Sequence, residues 1–184
     1  EGVGRSASRF DMAKLENTNA HYMRESDPES LIEAISPMIE AKIDRSLSVA
    51  ETTRLSTGMA SLQQRAKTLL DLAVSAEIYV DGAPFSQSPK AAKVLAGTDA
   101  PAGLAAALTA LSTIPIDAWN EDGIEAALRT GAEAVDLKLG ELAKPLRAAL
   151  TGSDASPSLF EVAAILGRDE TLRRATVDGQ VERF

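Results

Sequence analysis

Helical periodicity is the feature that most restricts what this chain can fold into. Strand-type alternation is scarce, and aromatic residues make up only 4% of the chain, a composition that disfavours sheets. Between residues 49 and 72, apolar residues recur at steps of three and four, as they do on one face of a helix: Leu55, Met59, Leu62, Ala66 and Leu69. We therefore expect an all-α protein whose clearest helix covers residues 49–72.

Capping and breaking residues predict further helices. Asp27-Pro28 should open one, and Ser36-Pro37 should kink or restart it; its shared apolar face would consist of Leu31, Ile35, Met38 and Ile39. Short helices are expected over residues 90–95 and 101–111. A long helix over 120–139 would be capped by Asn120 and ended by Gly140, with a buried face of Ile124, Leu128, Gly131 and Val135.

A stretch rich in turn-forming residues divides the helical pattern in two. Residues 82–89 contain Gly82, Pro84, Ser86 and Ser88-Pro89, which together predict a connector. We expect two packed helical subdomains, one over residues 1–82 and one over residues 83–184.

The segment from Pro145 to Gly167 predicts two short helices around a tight turn. Pro145 suits a first helical turn and Gly152 suits a left-handed helix end, whereas Ser156-Pro157 reads as an N-cap followed by proline at N1. The N–H groups at such a restart can receive a phosphate, and Arg147 could bring a planar donor fork to the same surface. The alternative is a helical hairpin that carries a surface arginine.

The whole chain resembles the C-terminal anticodon-binding region of bacterial glutamyl-tRNA synthetases, in register over about residues 8–175. The motifs that carry the resemblance are Phe10-Asp11, Lys14-Leu15, Asn19-Ala20-His21-Tyr22-Met23-Arg24, Trp119, Ile124-Glu125, Leu137-Lys138-Leu139-Gly140, Pro145-Leu146-Arg147, Thr151-Gly152, Ser156-Pro157, Leu159-Phe160-Glu161 and Leu166-Gly167. Ala20 replaces a glycine of the family pattern. After Arg174 the sequence departs from that pattern, so no role is assigned to the tail.

The resemblance implies two anticodon-binding sites. The resemblance aligns Arg65 with the arginine that reads the third anticodon base. An arginine at this position implies a synthetase of the type that discriminates tRNA-Glu from tRNA-Gln. The alternative is a solvated arginine at the flank of the helix. The resemblance also implies that Arg147, Ser156 and Leu159 engage anticodon bases, with Leu159 as an apolar platform and the Ser156 hydroxyl as donor and acceptor. The competing interpretation makes Ser156 a plain N-cap and Leu159 a core residue.

Two weaker groups of possible tRNA contacts complete the prediction. Asn19, Tyr22 and Arg24 share a helix near the expected junction with another domain. Tyr22 suits the core better than a stacking contact with a base, and His21 should be exposed without a catalytic duty. Arg173 and Arg174 could contact backbone phosphates, or could simply complement the dipole of a helix end.

Catalytic chemistry is not expected of this chain. It lacks motifs similar to the His-Ile-Gly-His and Lys-Met-Ser-Lys-Ser sequences of class I synthetases, and zero cysteines with one histidine argue against a zinc site. We expect no catalytic, cofactor or metal residues here. The chain would be the tRNA-reading part of a monomeric glutamate–tRNA ligase, whose N-terminal catalytic domain uses ATP and magnesium and whose partner is tRNA-Glu.

Net charge and hydropathy limit the locations and functions that we expect of the chain. No apolar run approaches the roughly 18 residues of a membrane span and no signal peptide is evident, so we expect a cytoplasmic protein without membrane contact. The net charge of −8 runs against RNA binding and favours the alternative of an α-helical protein-interaction module derived from such a domain. However, residues 91–128 carry −4 and residues 129–184 only −1, which leaves arginines for a local patch.

Overall fold

Every regular element in the described part of the chain is a helix, which confirms the all-α prediction. The computed structural model describes residues 12–82, 87–153 and 156–176. The helices are α1 (Met12–Glu25), α2 (Pro28–Ile43), α3 (Val49–Gln63), α4 (Leu69–Ala76), α5 (Pro89–Leu95), α6 (Ala100–Ser112), α7 (Glu121–Ala134), α8 (Leu139–Thr151), α9 (Leu159–Leu166) and α10 (Arg168–Ala175), with short 3₁₀ turns at Glu77–Tyr79 and Ile116–Ala118. Phe10 and Asp11 of the family motif lie outside the described residues.

The helices pack around one continuous apolar core. In the first half α2 packs on α3 and α4, and in the second half α6 packs on α7 and α8. Helix α9 contacts both α3 and α7, and α10 contacts α6, α8 and α9. The core therefore runs through both halves and includes Ile35, Leu55, Leu111, Leu142 and Val162. The subdomain boundary after residue 82 stays a prediction, and residues 83–86 of the expected connector lie outside the described residues.

The helices are short. None of those described has both the length and the apolar composition to cross a membrane by itself, and only α5 and α6 taken together, bent by 83°, meet that criterion.

Three of the predicted helix ends, at Asp27, Asn120 and Gly152, are confirmed. The Asp27 side chain accepts a hydrogen bond from the Ser30 N–H at 3.0 Å, and Asn120 accepts one from the Gly123 N–H at 2.9 Å. Gly152 ends α8 with a left-handed φ of 61°. Side-chain hydrogen bonds that span three residues thus fix the two helix starts, and a backbone hydrogen bond from the Gly152 N–H to the Ala148 carbonyl fixes the end of α8.

Burial on α2 differs from the prediction at one position. Leu31, Ile35 and Ile39 are buried as expected, but Met38 is largely exposed and Ile32 is buried instead. The α2 helix also runs through Pro37 without a break. The buried face of α2 is therefore rotated towards Ile32 and away from Met38.

The long helix predicted over residues 49–72 is wrong, because two helices occupy this region. Helix α3 ends at Gln63, and Thr68 starts α4 with a capping box. The Thr68 hydroxyl accepts from the Asp71 N–H, while the Asp71 carboxylate accepts from the Thr68 N–H. The Thr-x-x-Asp spacing carries this signal. Arg65 consequently lies in the turn after α3.

The predicted helix over 120–139 is also too long. Helix α7 ends at Ala134, Val135 is 51% exposed and Asp136 adopts a left-handed φ of 57°. Gly140 lies in the first turn of α8 and ends no helix. Ala132 is buried in place of Val135.

Two further boundaries move in the C-terminal segment. Pro145 lies inside α8 rather than in its first turn. Helix α9 begins at Leu159, so Ser156 is not its N-cap. Ser158 occupies the N-cap position, and the Ser156 hydroxyl instead accepts a hydrogen bond from Arg147.

A close approach of α6 to α8 accommodates Pro145. Proline has no N–H to donate to the Glu141 carbonyl one turn earlier. Gly103 of α6 faces that carbonyl, and a Cβ added there would lie 2.3 Å from the Glu141 oxygen and 3.1 Å from Pro145 Cγ. Only glycine fits at this crossing, since the obstructing atom belongs to the backbone.

A pair of glycine substitutions tests this crossing. Gly103→Ala should lower the free energy of unfolding by about 1–3 kcal/mol, because α6 and α8 must move apart. Gly140→Ala is the matched control, since nothing lies within 4 Å of the added Cβ; there we expect a gain of roughly 0.5 kcal/mol from reduced chain entropy. Urea denaturation of both variants measures the effect. Equal stability of Gly103→Ala and the parent would contradict the close crossing.

Candidate nucleic-acid interface

Arg147 is fixed against the turn that precedes α9. Its Nη1 donates to Ser156 Oγ at 2.8 Å and to the Pro157 carbonyl at 2.6 Å. Within the described residues all its hydrogen bonds leave from Nη1. The guanidinium is thus held in one orientation while its remaining N–H groups stay available for another acceptor.

The environment of Arg147 is unusual for a surface arginine. The side chain is half-buried, and burial lowers the pKa of Arg147, with the positive charge of Arg65 lowering it further. Both groups remain charged at neutral pH. Two guanidinium groups from distant parts of the sequence therefore lie close enough to repel each other.

Arg65 lies on the same surface as Ser156. Its exposed side chain lines a cleft of about 290 Å³, together with Thr151, Ser156 and Pro157. Val74 and Pro89 give the cleft exposed apolar walls. The structure thus places Arg65, which the sequence analysis assigned to one site, close to Arg147 and Ser156 of the other, and Arg65 arrives from a turn and not from a helix.

Leu159 does not reach this surface. It is 2% exposed and belongs to the apolar core. The interpretation of Leu159 as a core residue is confirmed, and the exposed apolar side chains that line this cleft are those of Val74 and Pro89. Sequence reasoning missed Val74 because α4, the helix that carries it, was not predicted as a separate element.

The α1 residues take different positions. Asn19 donates from its side-chain amide to the Lys67 carbonyl, and Gln63 donates to the Arg24 carbonyl at 3.0 Å. These bonds attach α1 to both ends of the turn that carries Arg65. Tyr22 is 66% exposed, and its ring centroid lies 5.8 Å from that of His21 with the ring planes tilted by 57°, so the expectation that Tyr22 belongs to the core is wrong. Neither Tyr22 nor Arg24 lines the Arg65 cleft.

A family model described as an anticodon binding domain matches residues 30–176. The chain belongs to this family of anticodon-binding domains. The predicted resemblance to glutamyl-tRNA synthetases is therefore confirmed at the level of the anticodon-binding domain family.

Sequence similarity to known relatives extends over nearly the whole chain. Glutamate–tRNA ligase 2 of Paramagnetospirillum magneticum is 49% identical over 174 residues, which are 95% of this chain and 36% of that protein. Glutamate–tRNA ligase 1 of Sphingopyxis alaskensis is 48% identical, over 94% and 35% respectively. The chain thus spans about a third of the length of the relatives it matches.

Solved structures share the fold. A glutamate tRNA ligase from Elizabethkingia meningosepticum superposes with a TM-score of 0.72 at 20% identity, over 94% of this chain and 32% of that one. A second one, from Elizabethkingia anophelis, gives 0.65 at 21% identity over the same shares. At these identities the likeness concerns the fold alone.

The arginine pair at the end of the anticodon-binding domain divides between surface and interior. Arg173 is exposed and forms two hydrogen bonds to Glu170, at 2.8 and 2.9 Å. Arg174 is fully buried and donates from Nη1 to the Ile78 carbonyl at 2.6 Å and to the Leu150 carbonyl at 3.3 Å. A phosphate cannot reach Arg174 there, so its expected role as a phosphate contact is corrected.

Arg174 instead joins the two sides of the Arg65 cleft. Ile78 lines the cleft on one side, and Leu150 immediately precedes Thr151 and Gly152, which line the other. Burial raises the pKa of Glu170, but Arg173 and Arg174 outweigh it and hold that pKa at about 2. The carboxylate is therefore ionised at neutral pH and neutralises the buried guanidinium.

Substitution of the two neighbouring arginines separates these roles. Arg174→Met should lower the free energy of unfolding by about 3–5 kcal/mol, because it leaves Glu170 and two carbonyl groups without their buried donor. Arg173→Met, its adjacent control, should cost less than about 1 kcal/mol. Thermal and urea unfolding of both variants measure the difference. Equal losses would mean that Arg174 does not brace the cleft.

Proposed function

We propose that this anticodon-binding domain recognises the anticodon of tRNA-Glu as the C-terminal part of a glutamate–tRNA ligase. The observation that carries the proposal is the convergence of Arg65, Arg147 and Ser156 beside one cleft with apolar walls. The names of the relatives supply the amino acid and the reaction.

The cleft suits an unstacked base of a single-stranded loop. Such bases are recognised through hydrogen bonds to their edges and apolar or stacking contacts with their faces. Arg65 and Arg147 supply charged donors for the edges, and Val74 and Pro89 supply apolar contact for the faces. Arg147 is already oriented by Ser156 and Pro157, so little side-chain freedom would be lost on binding.

Chemistry belongs to the rest of the proposed ligase. The described residues contain no group of three or more His, Asp or Glu side chains that could hold a metal ion, and we assign no ATP or magnesium site to them. A full-length, monomeric, cytoplasmic enzyme would form glutamyl-adenylate from ATP and glutamate in an N-terminal domain, with magnesium, and transfer glutamate to the terminal adenosine of the tRNA. Contacts at the anticodon would orient that distant end and so raise turnover.

An α-helical protein-interaction module is the second candidate, and the net charge of −8 favours it. An acidic body gains little from attraction to phosphates. The two functions differ in one measurable property, which is preference among tRNAs.

Titration of tRNA-Glu and of an unrelated tRNA at several salt concentrations decides between them. We expect the chain to bind tRNA-Glu weakly but preferentially. Arg147→Lys should weaken this binding by about tenfold or more, since a lysine loses the planar donor pair. Arg129→Lys on the exposed face of α7 is the matched control and should change nothing. Equal affinity for both tRNAs at every salt concentration would favour the interaction module.

Arg65 is proposed to set the choice between tRNA-Glu and tRNA-Gln. Arg65→Gln lies in an exposed turn and should leave the fold intact. In the full-length enzyme it should narrow the ratio of kcat/KM for the two tRNAs by about tenfold to a hundredfold, mainly through better use of tRNA-Gln. A ratio that changes by less than about twofold would assign the discrimination to other residues.

A further inference from the structure

A second, larger cleft lies on the other side of Arg147. It measures about 720 Å³ and is formed by α5, the beginning of α6 and the first part of α8. Three exposed lysines line it, two from α5 and one from α8: Lys90, Lys93 and Lys144. The sequence analysis assigned no role to any of them.

The charge in this cleft opposes the charge of the chain. Lys93 is the only lysine or arginine in the acidic stretch of residues 91–128, and it lines this cleft. Asp99 and Glu141 are the carboxylates in the lining. The Glu141 carboxylate accepts a hydrogen bond from the Lys138 backbone N–H at 2.8 Å and thereby caps the start of α8. Positive charge therefore exceeds negative charge in the cleft of a protein whose net charge is −8.

Two of these lysines have no carboxylate partner. Within the described residues neither Lys93 nor Lys144 forms an ion pair, whereas Lys42 and Lys67 each pair with a glutamate. Exposed ammonium groups without a partner keep their full attraction for an incoming anion. The cleft therefore offers cationic groups that the fold itself does not neutralise.

The two clefts share Ser153 and lie next to Arg147. Ser153 lines both of them, and Arg147 lines the larger cleft while its Nη1 holds Ser156 of the smaller one. A strand with one base in the smaller cleft would pass Arg147 and enter the larger cleft with its neighbouring nucleotides.

We propose that Lys90, Lys93 and Lys144 form a track for the sugar-phosphate backbone of the nucleotides next to the base held between Arg65 and Arg147. The proposal rests on the proposed anticodon recognition. It adds three lysines whose task is to bind phosphates, whereas the arginines bind base edges. An ammonium group is a compact point charge on a flexible stem, so it suits a phosphate better than the edge of a particular base. The track would supply affinity and register, and the smaller cleft would supply base specificity.

Charge-neutralising variants test the track. In Lys93→Gln/Lys144→Gln, the slope of log K against log salt should become shallower by about 1.4, which corresponds to two lost phosphate contacts with a single strand. Affinity at low salt should fall about tenfold or more, and by the same factor for tRNA-Glu and for an unrelated tRNA. The control Arg129→Gln/Lys138→Gln makes the same charge change at exposed positions outside the cleft and should retain the parent slope.

The outcomes separate the track from the proposed function. If the parent chain prefers tRNA-Glu but the cleft variant keeps its affinity and slope, the track is overturned and anticodon recognition stands. If the variant loses tRNA-Glu binding only, the lysines contact bases, which also overturns the track. If the parent chain shows no preference for tRNA-Glu, the proposed function fails first, and the track fails with it. Circular dichroism should show unchanged helicity in both double variants, because all four side chains are exposed.

Discussion

The buried guanidinium of Arg174 is the interaction on which the arrangement of the site depends. It joins the carbonyl of Ile78, in the first half of the chain, to that of Leu150 at the end of α8. A charge inside a protein is tolerated only with close partners, and Glu170 supplies the counter-charge from one turn earlier on α10. The hydrogen bonds of this one side chain therefore set the separation of the two walls between which Arg65 and Ser156 face each other.

Small residues let several helices approach their neighbours closely. Gly103 lies against the Glu141 carbonyl, Gly131 against Ala110, and Gly58 against the ring of Tyr79. The Tyr79 ring fills the space that a Cβ at Gly58 would occupy, and burial raises the pKa of its hydroxyl, with Glu161 and Glu121 adding to the shift. This chain has few large aromatic side chains to fill space, so small residues at the helix contacts achieve close packing instead.

Two kinds of cation lie around Arg147, and the two proposals give them different tasks in recognition. Arg147 is oriented by Ser156 and Pro157, and both arginines lie beside apolar walls. The lysines are exposed and line a wider cleft. Fixed planar donors suit base edges, and mobile point charges suit phosphates. Under the proposed function, this division would let an acidic anticodon-binding domain bind RNA, because the positive charge is concentrated where the strand would pass.

The sequence alone determined what depends on a few neighbouring residues. Asp27, Asn120 and Gly152 mark helix ends because each cap is a contact within three or four residues, and the ordered motifs identified the family. The Thr68 capping box was equally local and was overlooked. Only the tertiary structure decided that Arg174 is buried while Arg173 is exposed, that Leu159 belongs to the core, and that Arg65 lies near Arg147. Burial and convergence depend on contacts between helices far apart in the chain, and no local pattern encodes which helix covers which side chain.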